Sequence, residues 1–155
     1  MKIDRRLFLA GLSAFAASPV LAQNAAGVTF EKGPLEIRSG GKTHKFTVEF
    51  ADNDQRRTLG LMYRRQMAAD AGMLFDFKRD SPVAMWMRNT LIPLDMLFAD
   101  KTGLVTHIHE RAVPMDETTI ESRSVVRAVL ELNGGTAQRL GLKPGDRMVH
   151  AMFQA

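Results

Sequence analysis

The chain has 155 residues, no cysteine and a formal net charge of +4 at pH 7. This length is enough for one domain with its own hydrophobic core, and the lack of cysteine excludes disulfide bonds, thiol chemistry and anchoring through a lipidated cysteine. Because lysine and arginine are scattered among aspartate and glutamate, the sequence has no basic patch of the kind that binds phosphates, and we predict no nucleic-acid partner.

Residues 1–22 have the pattern of a signal peptide. The pair Arg5-Arg6 precedes an apolar run, 7–21, that is too short and too rich in alanine and serine for a stable membrane span of about 20 residues. Small residues favour cleavage after Ala22. The arginine pair resembles the twin-arginine export motif, and the alternative is a general signal peptide with two arginines by chance. We predict a soluble exported protein, periplasmic or otherwise extracytoplasmic, with no permanent membrane anchor after cleavage.

An alternation of apolar and polar residues dominates the rest of the chain. In residues 44–51, Phe46, Val48 and Phe50 alternate with polar residues, which predicts a half-buried strand. Shorter runs of the same kind, separated by turns rich in glycine, proline and aspartate, are 28–31, 35–38, 73–77, 83–88, 94–99, 104–110, 124–132 and 147–153. Short, evenly spaced strands predict a mainly β fold, an antiparallel sandwich or a jelly-roll-like barrel.

Two interruptions of the strand pattern predict short helices, at about 53–63 and 136–141. We expect Asp52 to cap the first helix. Leu59 and Met62 then face the core, because residues three apart lie on the same side of a helix.

Several sequence strings resemble the DUF192 family in their order and spacing. They are Gly60-Leu61-Met62-Tyr63-Arg64, Gly72-Met73-Leu74-Phe75-Asp76-Phe77, Trp86-Met87-Arg88-Asn89-Thr90-Leu91-Ile92-Pro93-Leu94-Asp95-Met96-Leu97-Phe98, His109-Glu110 and Ala128-Val129-Leu130-Glu131-Leu132. The resemblance implies a compact, mainly β domain of jelly-roll or sandwich type, often exported and without an assigned activity. Two positions depart from the family pattern, because Met85 stands where an aromatic residue is usual and Arg111 where asparagine is usual. We divide the chain into a signal peptide (1–22), an N-terminal segment with short strands (23–42) and one DUF192-like β domain (43–155).

Polar residues interrupt an apolar stretch at 84–100, which reads AMWMRNTLIPLDMLFAD. Asp95 lies in a strand that is apolar on both faces, so we predict that its carboxylate is buried and hydrogen-bonded. The nearest donors in the sequence are the backbone N–H groups and side chains of Asn89 and Thr90, with Arg88 behind them. On this structural interpretation Asp95 stabilises the bend and Trp86 is a core aromatic residue.

A second interpretation gives the same bend a ligand, and on it we predict a non-catalytic binding or accessory module. The candidate ligand-binding residues are Trp86, Arg88, Asn89, Thr90, Asp95, Tyr63, Arg64 and His109. Donors beside a flat aromatic face suit a small anion, a sugar or a carboxylate-bearing peptide end, and another exported protein is the alternative partner. We predict that Asp95 is structural, whereas Arg88 and Asn89 form the exposed rim of a shallow pocket beside Trp86.

Catalytic and metal-binding alternatives have weaker patterns. No serine lies in an elbow or triad motif and no cofactor motif is present, so we expect neither catalysis nor a cofactor and name no catalytic residue. A small hydrolase that uses Asp95 and His109 is one alternative. A copper-binding protein is the other, because Met148, His150 and Met152 would share one face of the last strand and their side chains suit Cu(I). Methionine also fills gaps in cores, so we predict no metal site.

Overall fold

The fold is mainly β with two short helices, as predicted. The computed structural model describes residues 27–153, and the predicted signal peptide lies outside this range. The described residues form β1 (Lys32–Ser39), β2 (Lys42–Ala51), α1 (Asp54–Leu59), β3 (Ala71–Ser81), β4 (Ala84–Met85), β5 (Leu94–Ala99), β6 (Val105–Ala112), β7 (Ile120–Glu121), β8 (Val126–Asn133), α2 (Thr136–Leu140), β9 (Arg147–Val149) and a final 3-10 helix (Ala151–Phe153). None of the described helices is both long and apolar enough to cross a membrane.

Seven strands form one sheet in the order β6-β5-β8-β3-β2-β1-β9, and β4 pairs with β7 in a small second sheet. The large sheet is mixed rather than wholly antiparallel, because β2 and β3 run parallel from the pair Thr47 and Ala71 to the pair Ala51 and Phe75. The chain between these two strands contains α1, as a parallel pair requires a crossover connection. The two edges of the sheet meet at one point, where Leu104, just before β6, forms a single bridge with Arg147 of β9. The sheet is not closed into a barrel.

Apolar side chains cover both faces of the large sheet. One cluster includes Ile37, Val48, Leu97 and Leu130 and packs against the residues of α2 and the end of the chain. The other includes Met73, Met87, Met96 and Phe98 and lies beneath the loops that follow α1 and β4. Every residue of β5 is buried, so this central strand is covered on both sides.

Three predicted strands are shorter than expected or absent. Residues 28–31 form no strand, and of 83–88 only Ala84–Met85 pairs, before the chain turns at Asn89 with a φ of 54°. The last strand ends at Val149, because the 3-10 helix begins two residues later and the Met152 N–H donates to Nδ1 of His150 at 3.3 Å. Period-two patterns therefore overestimate strand length where a turn interrupts the pairing.

The first helix is also shorter than predicted and has a different cap. The side chain of Asn53, not Asp52, accepts the N–H of Arg56, and the helix ends before Gly60, which has a φ of 47°. Asp52 instead accepts from the Arg56 guanidinium at 2.8 Å. Leu59 is only half-buried, so the apolar side of this segment is completed by the loop that follows it rather than by a longer helix.

Candidate functional site

The predicted bend exposes an aromatic ring and a cation on the surface. The Trp86 side chain is 48% exposed, so it is not the core aromatic residue of the structural interpretation. The Arg88 guanidinium lies over its ring, 5.6 Å from the centroid. Arg88 is exposed and Asn89 half-buried. Within residues 27–153 the Arg88 guanidinium has no hydrogen bond or ion pair, so its donors are free for another molecule.

Backbone hydrogen bonds hold this bend in place from two sides. The Tyr63 N–H donates to the Asn89 carbonyl at 2.8 Å, and the Met115 N–H donates to the Thr90 carbonyl at 3.1 Å. Tyr63, Asn89 and Met115 all have left-handed backbones, with φ of 65°, 54° and 65°. Such conformations are uncommon for residues other than glycine and asparagine and concentrate at functional sites. Three of them thus meet at one bend.

Thr90 closes the bend and is not available to a ligand. It is buried, its N–H donates to the Met87 carbonyl at 3.0 Å and its hydroxyl donates to the Arg88 carbonyl at 3.2 Å. The Asn89 amide, by contrast, contacts only the Met62 sulfur, at 3.9 Å. Of the three donors predicted at the bend, Arg88 and Asn89 are accessible and Thr90 is structural.

A cleft of about 350 Å³ lies against Trp86. Phe77 and Met85 line it with Trp86, and Asp54 and Thr58 of α1 supply polar groups. Its volume is at the small end of the range for ligand sites, and an apolar lining with few polar groups is typical of them. Tyr63 lines a different opening, beside Gln55. Its backbone N–H therefore contacts the bend, but the residue does not line the Trp86 cleft.

Asp95 is buried as predicted, but its donors are not those predicted. The carboxylate is fully inaccessible and accepts the backbone N–H groups of Arg111 at 2.8 Å, Gly135 at 2.9 Å and Ala137 at 2.7 Å. Gly135 is the N-cap of α2 with a φ of 88° and has no side chain to cap it. Asp95 therefore caps α2 from a neighbouring strand, and it does not stabilise the bend.

Arg64 is engaged with another carboxylate. Its guanidinium makes two hydrogen bonds to Glu49, at 2.9 and 2.5 Å, and lies 5.7 Å from the Phe30 ring centroid. Burial raises the pKa of Glu49, but the hydrogen bonds and charges of Arg64 and Lys32 together lower it by more. The pKa of Glu49 is therefore below its usual value. Arg64 therefore anchors the loop after α1 to β2, and its carboxylate partner is Glu49 rather than a group of the bend.

His109 and Asp95 are not neighbours. His109 pairs with Met96 in the β5–β6 ladder, and paired residues project from the same face of a sheet, whereas Asp95, one residue from Met96, projects from the other. Since the Asp95 carboxylate also accepts three backbone hydrogen bonds, the arrangement does not support acid–base work by this pair.

The methionine and histidine residues near the end of the chain do not share a strand face. Met148 is buried in the core, and the His150 ring packs against Phe50 with centroids 5.0 Å apart. His150 and Met152 follow the end of β9, so the face predicted for them does not exist. In the described part of the chain, no three histidine, aspartate or glutamate side chains are grouped so that they could hold a metal ion.

Two charged residues that the sequence did not single out have unusual surroundings. Glu131 of β8 is 4% exposed in an apolar part of the sheet, and Arg123 has a left-handed φ of 60° beside His107. The only sequence signals for them were the Leu-Glu-Leu string inside a buried strand and the long aperiodic segment 111–123, where functional loops are often found.

Together, the mixed seven-stranded sheet and the exposed aromatic bend define a small mainly β domain with a candidate surface site. The profile of DUF192, described as an uncharacterized ACR, matches residues 35–150. The chain belongs to the DUF192 family.

Solved structures support the same fold. A crystal structure at 1.55 Å from Sinorhizobium meliloti 1021, described as a proposed transcription regulator, is 52% identical, covers 81% of this chain and 98% of its own, and has a TM-score of 0.79. A protein of unknown function from Novosphingobium aromaticivorans DSM 12444, solved at 1.22 Å, is 35% identical, covers 92% of this chain and 100% of its own, and has a TM-score of 0.76. No curated protein matches the chain.

Proposed function

We propose that the protein is an exported, non-catalytic binding module that holds a small polar ligand at the Trp86 bend. The single observation that carries the proposal is the exposed Trp86 ring with the Arg88 guanidinium above it, free of other polar partners in the described chain. A tryptophan left half in water forgoes part of the burial that its large ring can provide, and binding of a ligand would restore it.

The chemistry of the bend favours a ligand with acceptor oxygens and a flat or apolar face. Arg88 and Asn89 supply donors, and guanidinium groups bind carboxylates in bidentate geometry. The ring of Trp86 supplies the stacking surface. A small anion, a sugar or the carboxylate end of a peptide meets both requirements.

Export is proposed on the pattern of residues 1–22. It would place the ligand outside the cytoplasm and make another exported protein the source of any peptide end. The relative from Sinorhizobium meliloti is described as a proposed transcription regulator, so DNA binding is the competing function. The exposed ring of Trp86 does not favour DNA binding, because a DNA site depends mainly on phosphate contacts by lysine and arginine.

Native mass spectrometry of protein purified from its exported compartment, compared with refolded protein, tests whether a ligand is retained. We expect extra mass only on the exported copies. Because Trp86 is the only tryptophan, its fluorescence then reports the site directly. Titrations with inorganic phosphate, a trisaccharide and a tripeptide with a free carboxyl end cover the three ligand classes, and a DNA duplex tests the competing function.

Three variants locate the binding. Arg88→Ala should weaken any saturable Trp86 response at least about tenfold, as the loss of a charged hydrogen bond does. Asn89→Gly removes the amide and keeps the left-handed backbone. Arg38→Ala is the matched control, because Arg38 is an exposed residue of β1 outside the bend. Bare exported chains with no response to any of the three ligands, or tight DNA binding instead, would refute the proposal.

A further inference from the structure

A second cleft, of about 440 Å³, lies over β6 beneath the segment that leads to β7. His107 and His109 line one wall and are two residues apart on the strand, so their imidazoles project from the same face. Arg123 lines the cleft as well, and Met87, Val113 and Ile120 give it an apolar part. Met87 lies between Trp86 and Arg88 in the sequence, and neither of these two residues lines this cleft.

A network of serine hydroxyls fixes the turn that carries Arg123. The Ser122 hydroxyl accepts the Val83 N–H at 3.0 Å and donates to the Ser124 carbonyl at 2.6 Å. The Ser124 hydroxyl in turn lies 3.2 Å from the hydroxyl of Thr106 on β6. Arg123, between these two serines, keeps a left-handed φ of 60°. Such a backbone is costly for arginine and persists where the surroundings impose it.

Three side chains of the cleft that can donate hydrogen bonds have no polar partner among the described residues. No hydrogen bond or ion pair to residues 27–153 engages the side chains of His107, His109 or Arg123, although the His107 ring stacks on Phe98 with centroids 5.6 Å apart. Burial lowers the pKa of His107, and the charges of Arg123 and His109 lower it further. The lowered pKa favours the neutral imidazole, and a bound anion would favour its protonated form.

Two carboxylates line the cleft beside these donors, and neither forms an ion pair with them. Asp116 and Glu121 both line the opening, but the Asp116 carboxylate accepts the Thr118 N–H at 2.8 Å. Hydrogen bonds from the Thr118 backbone and side chain lower the pKa of Asp116, so its charge is already stabilised locally. Glu121 is exposed to water. No carboxylate contributes to the shift in the pKa of His107.

We infer that this cleft binds a small organic anion, whose carboxylate or phosphate group contacts Arg123, His107 and His109 and whose apolar part packs against Met87, Val113 and Ile120. The volume is within the range of about 300 to 1,000 Å³ that ligand sites occupy. Arginine and imidazolium donors are the usual partners of such anions. This site is separate from the Trp86 bend and does not depend on the function proposed for it.

NMR of the histidine side chains tests the inference with internal controls. The chain has four histidines, of which His107 and His109 line the cleft and His44 and His150 do not. The probes are benzoate and phenyl phosphate, with benzyl alcohol as a neutral match and inorganic phosphate as an anion without an apolar part. We expect benzoate or phenyl phosphate, at up to about 10 mM, to shift the His107 and His109 signals saturably and to leave the other two unchanged.

Two variants separate a built anion site from unspecific attraction. Arg123→Asn removes the charge and keeps a residue that tolerates a left-handed backbone, so the fold is retained and the affinity should fall at least about tenfold. Arg38→Asn and Arg88→Ala should leave the affinity unchanged. The inference is overturned if neither organic anion gives saturable shifts, if benzyl alcohol binds equally well, or if Arg123→Asn binds as tightly as the parent protein.

Discussion

Glu131 should make the protein less stable as the pH rises. Its carboxyl lies on the central strand β8, between Met73 and Met96 of the neighbouring strands, and is 4% exposed. Within residues 27–153 no hydrogen bond or ion pair engages it. Burial raises the pKa of Glu131 to about 8, and the charge of Arg64 lowers it only partly. The folded protein therefore holds this proton at pH values where the unfolded chain has released it.

The sign and size of the effect follow from proton linkage. Between the unfolded pKa of about 4.5 and the folded pKa of about 8, the folded state binds more protons than the unfolded state, so the free energy of unfolding falls as pH rises. At 1.36 kcal/mol for each pKa unit, the loss between pH 5 and pH 8 is about 3 to 4 kcal/mol. The stability contributed by the neutral carboxyl is fully present only below the unfolded pKa.

Glu131→Gln removes the titration and keeps the shape of the neutral side chain. Urea unfolding at pH 5 and pH 8 measures the free energy of unfolding of both proteins. We expect the variant to be close to the parent at pH 5 and more stable by several kcal/mol at pH 8. Because all other groups are shared, their titrations cancel in the difference. Glu110→Gln, at an exposed position of β6, is the control. A difference between Glu131→Gln and the parent that is the same at both pH values would refute the reasoning.

Four further outcomes are expected. Asp95→Asn should cost about 1 to 3 kcal/mol in thermal or chemical unfolding, because an amide cannot accept all three backbone N–H groups; no change would mean that the cap is dispensable. Arg88→Ala should leave the melting temperature unchanged or raise it, and a clear decrease would make the bend structural. Burial raises the pKa of Asp76, but Arg127 and Lys78 lower it to about 2. The ionised carboxylate should therefore add about 2 kcal/mol to the free energy of unfolding above pH 4, and this contribution is lost as the pH falls towards 2. The stabilities of Asp76→Asn and the parent protein should converge in acid unfolding. Arg5→Lys with Arg6→Lys should block export in a fractionation assay, and normal export would leave only a general signal peptide.

Most of the fold could be predicted from the sequence because burial leaves a period-two pattern. The residues of β5 match the predicted 94–99, and β2 and β8 differ from their predictions by no more than two residues at either end. The parallel pairing of β2 and β3 could not be predicted, because strand periodicity is the same in parallel and antiparallel ladders. The bend also escaped the strand pattern, since Trp86 and Met87 alternate like strand residues but pair with no strand.

The candidate site could be predicted only in part, because sequence proximity is a poor guide to hydrogen-bond partners. Arg88 is exposed and Asn89 half-buried, and neither residue lines the cleft against Trp86, so a rim formed by both stays a prediction. The donors to Asp95 lie 16, 40 and 42 residues away along the chain, and nothing near Asp95 in the sequence indicates them. The same is true of Arg123 and His107, which belong to different elements and meet only through the fold.

The departure from the family pattern at Arg111 has a physical explanation in this structure. Arg111 lies in a bulge of β6 opposite Asp95 and has a left-handed φ of 53°. Asparagine, the usual residue in the pattern, adopts that backbone more readily than arginine. The Arg111 side chain donates to the Gln138 side chain of α2 at 2.6 Å. It also packs closely over Gly135, where an added Cβ would lie 3.3 Å from the Arg111 guanidinium. The backbone N–H of Arg111 and the N-terminus of α2 thus share the Asp95 carboxylate, while the arginine side chain adds a second link to the helix that offsets part of the backbone strain.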